Sequence, residues 1–174
     1  MACTQVLSGL AADCSGNIGG IKSVYLANHA DVSALTVTSD KISAITMAGT
    51  AKFKKYAFKR GTGSMSSTLN VDATNGTNYV STDLVLQFNR METTKRVEMT
   101  ALSQGELAAI VEDMNGKYWF LGKDEPVSAS AGDGQTGTAR SDGNRYTLTL
   151  QDTSETWPIE IDASVITTDI VDAL

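Results

Sequence analysis

The chain contains few of the residues that build metal, redox or cofactor sites. Its 174 residues include one histidine, His29, and only two cysteines. A structural zinc site takes four Cys or His ligands, which exceeds this supply. The Gly-Lys-Ser or Gly-Lys-Thr ending of a phosphate-binding loop is also missing from the sequence. We therefore expect no metal and no cofactor.

Long apolar runs and targeting features are missing as well. No apolar run approaches the roughly 20 residues of a membrane-spanning helix, and residues 1–5 lack the basic and apolar regions of a secretory signal. We expect a protein that folds in a cytosol and does not itself bind membranes. A disulfide between Cys3 and Cys14 could at most constrain a short N-terminal arm. The sequence leaves open whether the two cysteines pair or stay free thiols.

The charge balance is acidic. The sequence has 14 Lys and Arg residues against 20 Asp and Glu residues, a net charge of −6. A protein that grips nucleic acid needs a basic face, so this balance argues against stable DNA or RNA binding. It permits a surface along which DNA slides, because like charge prevents sticking.

Three motifs that suggest chemistry have plainer interpretations. Residues 132–137 match G-x-G-x-x-G, but a turn-rich stretch follows them where a dinucleotide site needs a helix. His29 lies in a predicted surface turn without a neighbouring nucleophile. The acidic pairs at 112–113 and 124–125 are typical of solvated turns. We expect no catalytic residue, and the protein is not predicted to be an enzyme.

The remaining pattern is that of a mainly β protein with one domain. Alternating or β-branched segments predict strands from Ile21 onward, at 32–38, 42–47, 53–58, 82–90, 95–102 and 146–151. A last edge strand is expected at 157–161, because Pro158 is tolerable only at an edge. Residues 59–78 predict a long extended hairpin or loop, and residues 128–144 a second glycine-rich loop.

One helix is predicted, at about 103–112. Ser103 and Glu106 have the spacing of a capping box, and Leu107, Ile110 and Val111 would give the helix one apolar face. Asn115-Gly116 then predicts a type I′ hairpin turn. The expected architecture is an antiparallel β-sandwich or barrel over residues 21–162 with one flanking helix. A flexible arm (1–20) precedes it and an acidic tail (163–174) follows it.

A basic cluster with interleaved aromatic residues lies at 52–60. Such a stripe can bind single-stranded nucleic acid, guard an edge strand or meet an acidic protein neighbour. The acidic remainder of the chain favours a protein contact. Its members are Lys52, Phe53, Lys54, Lys55, Tyr56, Phe58, Lys59 and Arg60.

The layout of long loop, alternating strands, helix, Asn-Gly hairpin and C-terminal strand resembles the tail tube proteins of long-tailed bacteriophages. Residues 106–122 (ELAAIVEDMNGKYWFLG), residues 134–140 (GQTGTAR) and residues 146–150 (YTLTL) are similar to small virion structural proteins of phages and prophages of gut Bacteroidetes. The resemblance covers residues 20–162. It implies a β-sandwich subunit that forms rings, usually hexamers, which stack into a hollow tube for DNA.

The resemblance also implies roles for three groups of residues. A loop reaching a neighbouring subunit or ring would include Lys59, Arg60, Gly61, Gly63, Met65, Leu69, Asn75, Gly76 and Tyr79. A lumen face would include Asp83, Gln87, Asn89, Arg96, Glu98 and Thr100. A second assembly loop, ordered together with the N-terminal arm on stacking, would include Gly132, Asp133, Gly134, Gly137 and Arg140.

The implied partners are further copies of the chain, the tape measure, tail terminator and baseplate proteins, and DNA in transit through the lumen. The implied location is the virion tail, assembled in the bacterial cytoplasm. Two other classes remain open at this point. One is a head-decoration or tail-completion ring protein, and the other is a non-enzymatic surface-binding β domain.

Overall fold

Two β-sheets and one α-helix make up the part of the chain that the structure describes, which is residue 7, residues 9–12 and residues 14–172 of a computed structural model. The expected mainly β fold with a single helix is confirmed. The elements are β1 (Ile21–Asn28), β2 (Val32–Thr38), β3 (Lys41–Met47), β4 (Phe53–Tyr56), β5 (Ser64–Asp72), β6 (Thr77–Asn89), α1 (Thr93–Gln104), β7 (Leu107–Asp113), β8 (Tyr118–Leu121), β9 (Ser128–Gln135), β10 (Arg145–Ser154), β11 (Ile159–Ile161) and β12 (Val171–Asp172).

The larger sheet has eight strands in the order β12-β4-β1-β7-β8-β11-β3-β2, and the smaller has four in the order β5-β6-β10-β9. Most pairs are antiparallel, whereas β11 pairs with β3 and β12 pairs with β4 in parallel. Two core clusters result, one on each face of the larger sheet. The first lies between the sheets and includes Leu84, Leu86, Leu148 and Leu150 of the smaller sheet, and the second includes Phe53, Phe120 and Ile161.

Strand β7 runs through the middle of the molecule and is buried on both faces. Leu107, Ala109 and Val111 face the first core, while Ala108 and Ile110 face the second. Because a strand alternates its side chains between faces, a continuous apolar run is what such a central strand requires. The prediction of a helix over 103–112 is therefore wrong for all but its first two residues.

The helix lies earlier, at Thr93–Gln104, where the sequence predicted a strand over 95–102. Seven of its twelve residues are good helix formers, and Met99 and Leu102 supply its contact with the first core. Val97 is 54% exposed, so the alternation of apolar Val97 and Met99 with polar residues does not mark the buried face of a strand. Ser103 is not the N-cap of a helix. Its hydroxyl donates to the Thr100 carbonyl oxygen at 2.9 Å, near the C-terminal end of α1.

The turns partly follow the sequence signals. The β7–β8 hairpin forms around Asn115-Gly116, but of these two residues only Gly116 has a positive φ, 78°. The turn is therefore not type I′, which needs positive φ at both central residues. Ser39 and Asp40 between β2 and β3 do both have positive φ, 53° and 60°, so the type I′ geometry occurs there.

Two further boundaries differ from the expectation. Strand β11 is not an edge strand, since it lies between β8 and β3. Pro158 precedes the strand, so its missing N–H removes no ladder hydrogen bond. Residues 128–135 of the predicted second loop form strand β9, which pairs along β10. In the C-terminal segment, Val165 and Val171 are buried in the second core.

Candidate assembly surface

The outward face of the four-stranded sheet is polar. In each of the four strands, every second residue points to this side, and the pairing register of the strands shows which residues these are. None of them belongs to either core cluster. Only Tyr79, Val85 and Ala131 among them have aromatic or aliphatic side chains. The others are Ser64, Ser66, Thr68, Asn70 and Asp72 of β5, Thr77, Ser81, Asp83, Gln87 and Asn89 of β6, Arg145, Thr147, Thr149, Gln151 and Thr153 of β10, and Ser128, Asp133 and Gln135 of β9.

Side-chain hydrogen bonds tie the middle of this face together. The Gln151 Nε2 atom donates to the Ser81 hydroxyl at 3.2 Å and to the Asp83 carboxylate at 3.1 Å. These bonds cross from β10 to β6 and hold the three side chains in place on the sheet. The face therefore presents an ordered polar surface with few charges.

The predicted lumen residues separate into two groups. Asp83, Gln87 and Asn89 lie on the outward side of β6, as the alternation implied. Arg96, Glu98 and Thr100 lie on α1 instead of a strand, so they do not continue this face. Sequence reasoning missed the contribution of β10, although the alternation of Leu148 and Leu150 with polar residues could have found it.

The predicted interface loop also separates, into a turn and a hairpin arm. Lys59, Arg60 and Gly61 form an exposed turn between β4 and β5. Gly63 and Met65 pack inward. A Cβ atom on Gly63 would lie 2.7 Å from side-chain carbons of both Ile21 and Phe58, so this glycine permits a close approach of the chain to the first core.

The hairpin arm is the distal part of β5 and β6 with the turn between them, residues 69–80. Asp72 closes its turn: its carboxylate accepts from the backbone N–H groups of Thr74 at 2.8 Å and Asn75 at 3.2 Å. These backbone bonds, together with one from the Asn75 side chain, lower the pKa of Asp72. The arm exposes three large side chains, Leu69 (45% exposed), Val71 (65%) and Tyr79 (43%), and Gly76 lies in its turn with a φ of 69°.

The second predicted assembly loop is half strand and half turn. Gly132, Asp133 and Gly134 belong to β9, and Gly137 and Arg140 lie in the exposed connection to β10. Asp142 organises that connection, because its carboxylate accepts from the N–H groups of Thr138 and Ala139 at 2.8 and 2.7 Å. The strand itself is a free edge of the smaller sheet.

A cleft opens between α1 and β4 at the side of the sandwich. It has a volume of about 530 Å³, and its apolar walls come from Tyr56, Phe88, Met99 and Leu102. The rings of Tyr56 and Phe88 meet edge to face at a centroid distance of 6.3 Å. Burial, and then a hydrogen bond from its hydroxyl to the Glu98 carboxylate, raise the pKa of Tyr56.

The basic cluster at 52–60 does not form a stacking platform or guard an edge. Phe53 is fully buried in the second core, and β4 lies between β12 and β1. Lys52 donates to the Thr168 carbonyl oxygen at 2.5 Å, and Lys54 pairs with Asp172. These two lysines thus hold the C-terminal segment against the sheet.

The acidic pair Glu112-Asp113 is not a solvated turn. Glu112 is 5% exposed, and its carboxylate accepts from Ser23 Oγ and from Lys22 Nζ, both at 2.6 Å. Asp113 accepts from the N–H groups of Asn115 and Lys117 at 2.8 and 2.9 Å and so closes the hairpin turn. Both carboxylates therefore have structural partners.

The described residues contain no group of three or more His, Cys, Asp or Glu side chains arranged to hold a metal ion. Within the same residues, no helix is both long and apolar enough to cross a bilayer. Cys14 is exposed, and Cys3 lies outside the described residues. Comparisons with protein-family models, curated proteins and solved structures find no match to the chain.

Proposed function

We propose that this chain is a structural virion protein that assembles into stacked hexameric rings and forms a phage tail tube for DNA. The observation that carries the proposal is the four-stranded sheet, which has a polar outward face and two edge strands, β5 and β9. Edge strands expose unpaired backbone groups and invite pairing with another chain. Pairing β5 of one copy with β9 of the next would extend the sheet around a ring.

The dimensions of the sheet suit a channel. Neighbouring strands lie about 4.8 Å apart, so four strands span about 19 Å and six copies give a circumference of about 115 Å. A closed ring of this size has a backbone diameter of about 37 Å. After side chains are subtracted, a DNA duplex can pass through such a channel.

The chemistry of the outward face suits DNA in transit. Its charged side chains are Asp72, Asp83, Asp133 and Arg145, and the rest of the face is almost entirely neutral and polar. Phosphate-binding surfaces need clustered Lys and Arg, which this face does not supply. DNA would therefore move past the face without being held.

The hairpin arm supplies a contact between copies in this proposal. Leu69 and Val71 are more exposed than core residues of their size, and covering them in a neighbour would be favourable by about 25 cal/mol per Å² of apolar surface. Partners of the finished tube would be further copies, the tape measure, the tail terminator and the baseplate. The protein would be located in the virion tail.

Substitution of the arm tests the proposal. The double variant Leu69→Ser with Val71→Ser should stay folded, because both side chains are partly exposed, and should fail to form long assemblies. Thr68→Ser with Asn70→Ser is the matched control on the other face of the same strand and should assemble normally. Thermal unfolding checks the fold, and sedimentation with negative-stain microscopy measures assembly. Tubes of normal length from the Leu69/Val71 variant would contradict the role of the arm.

A further inference from the structure

The cleft between α1 and β4 and the leucines of the N-terminal arm both expose apolar groups to solvent. Leu7 is 90% exposed and Leu10 is fully exposed. The cleft offers the walls of Tyr56, Phe88 and Met99 in a volume of about 530 Å³. Large apolar groups left in water are unfavourable, so each feature gains from a partner.

The last residues of the arm contact the β7–β8 turn. Asn115 in the β7–β8 turn accepts from the Ile18 backbone N–H at 2.9 Å and donates to the Asn17 side chain at 3.1 Å. Ten residues separate Asn17 from Leu7. Since an extended chain covers at most about 3.3–3.6 Å per residue, Leu7 can lie up to about 33–36 Å from this attachment.

The arm segment carries no charged side chain, and four of the five charged side chains that line the cleft have a partner. Residues 1–12 contain no charged side chain. Around the cleft, Lys95 pairs with Glu92 at 2.9 Å, Lys54 pairs with Asp172, and Glu98 accepts the Tyr56 hydroxyl. A neutral, apolar segment can enter such a site without leaving an ion unpaired. Met99 adds a flexible wall that adapts to leucine side chains.

We propose that the N-terminal arm of one copy inserts Leu7 and Leu10 into the α1–β4 cleft of a second copy. The inference rests on the proposed self-assembly, because the occupant is another molecule of this chain. A second copy is the occupant because within one molecule Leu7 and Leu10 lie in solvent and the cleft stays open. The arm would then link copies in addition to the edge strands and the hairpin arm.

The first test is a pair of arm variants in the full-length protein. Leu7→Ser with Leu10→Ser should raise the concentration needed for half-maximal association by about 100-fold or more, because two leucines lose their apolar burial. Ala11→Ser with Ala12→Ser makes the same kind of change in the same arm and should leave association within about threefold of wild type. Sedimentation velocity over a concentration series measures both. Equal association by all three proteins would overturn the inference.

The second test measures binding in the absence of assembly. A fluorescein-labelled peptide of residues 1–13 is titrated with the full-length Leu7→Ser/Leu10→Ser variant and followed by anisotropy. Saturable binding that is lost on adding Met99→Lys supports the inference, with circular dichroism confirming that the triple variant is folded. Absence of saturable binding overturns it. Peptide binding by the arm variant but not by wild type, with wild type a monomer at all concentrations, also overturns it, because the arm then fills its own cleft.

The two proposals fail in distinguishable ways. Wild-type tubes that persist unchanged in the Leu7→Ser/Leu10→Ser variant would overturn the arm contact and leave the tube. Arm-dependent dimers that never form tubes would support the arm contact and overturn the tube.

Discussion

Glu112 joins β7 to β1 from a buried position, and replacing it with glutamine tests whether this contact stabilises the larger sheet. The carboxylate is 5% exposed and accepts two short hydrogen bonds, from Ser23 Oγ and Lys22 Nζ. Ser23 is itself 3% exposed, so its bond lies in the interior. Glutamine has the same shape and can keep one neutral hydrogen bond to Ser23.

The expected cost follows from the two contacts. A buried hydrogen bond to a charged group contributes about 1.5–3 kcal/mol, against about 0.5–1.5 kcal/mol for the neutral bond that glutamine retains. Lys22 is 64% exposed, so solvent screens its ion pair and the pair adds little to this cost. Glu112→Gln should therefore lower the free energy of unfolding by about 1–2 kcal/mol at neutral pH. In a chain of this length, that corresponds to a decrease in melting temperature of roughly 2–8 °C.

The effect should depend on pH with a defined sign. Burial alone would raise the pKa of Glu112, but the bonds from Lys22 and Ser23 outweigh it, and the net pKa lies below its ordinary value. The carboxylate thus adds stability above the unfolded-state pKa, about 4.3, and this stability is lost as pH falls through the lower folded-state pKa. The difference between wild type and variant should shrink towards pH 3.

Urea unfolding measures this, with the fluorescence of Trp119 on the neighbouring strand β8 as the signal. Glu106→Gln, an identical chemical change at an exposed residue, is the control and should alter stability by no more than about 0.5 kcal/mol. A Glu112→Gln protein as stable as wild type at pH 7 would refute the reasoning. A loss of the same size at pH 7 and pH 3 would refute its electrostatic part.

Two further predictions concern Gly63 and Asp152. Gly63→Ala should destabilise the fold by about 1–3 kcal/mol, because its Cβ would overlap side-chain carbons of Ile21. Gly16→Ala is the control and should change stability by less than about 0.5 kcal/mol, since there is open space around its Cβ. Chemical denaturation compares the two variants, and equal stabilities would contradict the close packing at Gly63. Asp152 accepts from the Gly122 N–H at 3.0 Å, and burial raises its pKa, so the fold favours its protonated form and gains stability from this group as pH falls through the raised value. Asp152→Asn should accordingly be at least as stable as wild type at pH 7, and the difference in stability should disappear under acidic conditions. Thermal unfolding measures both proteins. A variant markedly less stable than wild type at pH 7 would show that the charged form of Asp152 is favoured.

The fold class and several hairpins could be predicted because their signals are local. The alternation in β6 and β10 set one polar and one apolar face, and a short connection between two β-branched segments fixed the β2–β3 hairpin. Of the β7–β8 hairpin only the turn was predicted, because β7 was taken for a helix. The run Leu107–Val111 was ambiguous, since apolar residues at i, i+3 and i+4 suit both an amphipathic helix and a strand buried on two faces. Tertiary context, with a sheet partner on each side of β7, decides for the strand.

The candidate surface could be predicted only in part, for reasons of the same kind. Asp83 and Gln87 were found because their strand alternates clearly. Strand β9, with sequence SASAGDGQ, has almost no β-forming residues, and its pairing with β10 makes it a strand. The α1–β4 cleft brings together Tyr56 and Met99, which are distant in sequence, so no local pattern could have predicted it.

The most direct test of the central claim is electron cryo-microscopy of the wild-type protein, concentrated without any other tail component. The account predicts stacked rings with an open channel, in which Asp83, Gln87 and Gln151 face the lumen and β5 of each copy lies beside β9 of the next. A uniform monomer at all concentrations would contradict the account. Rings or tubes whose channel is lined by the eight-stranded sheet would contradict it equally.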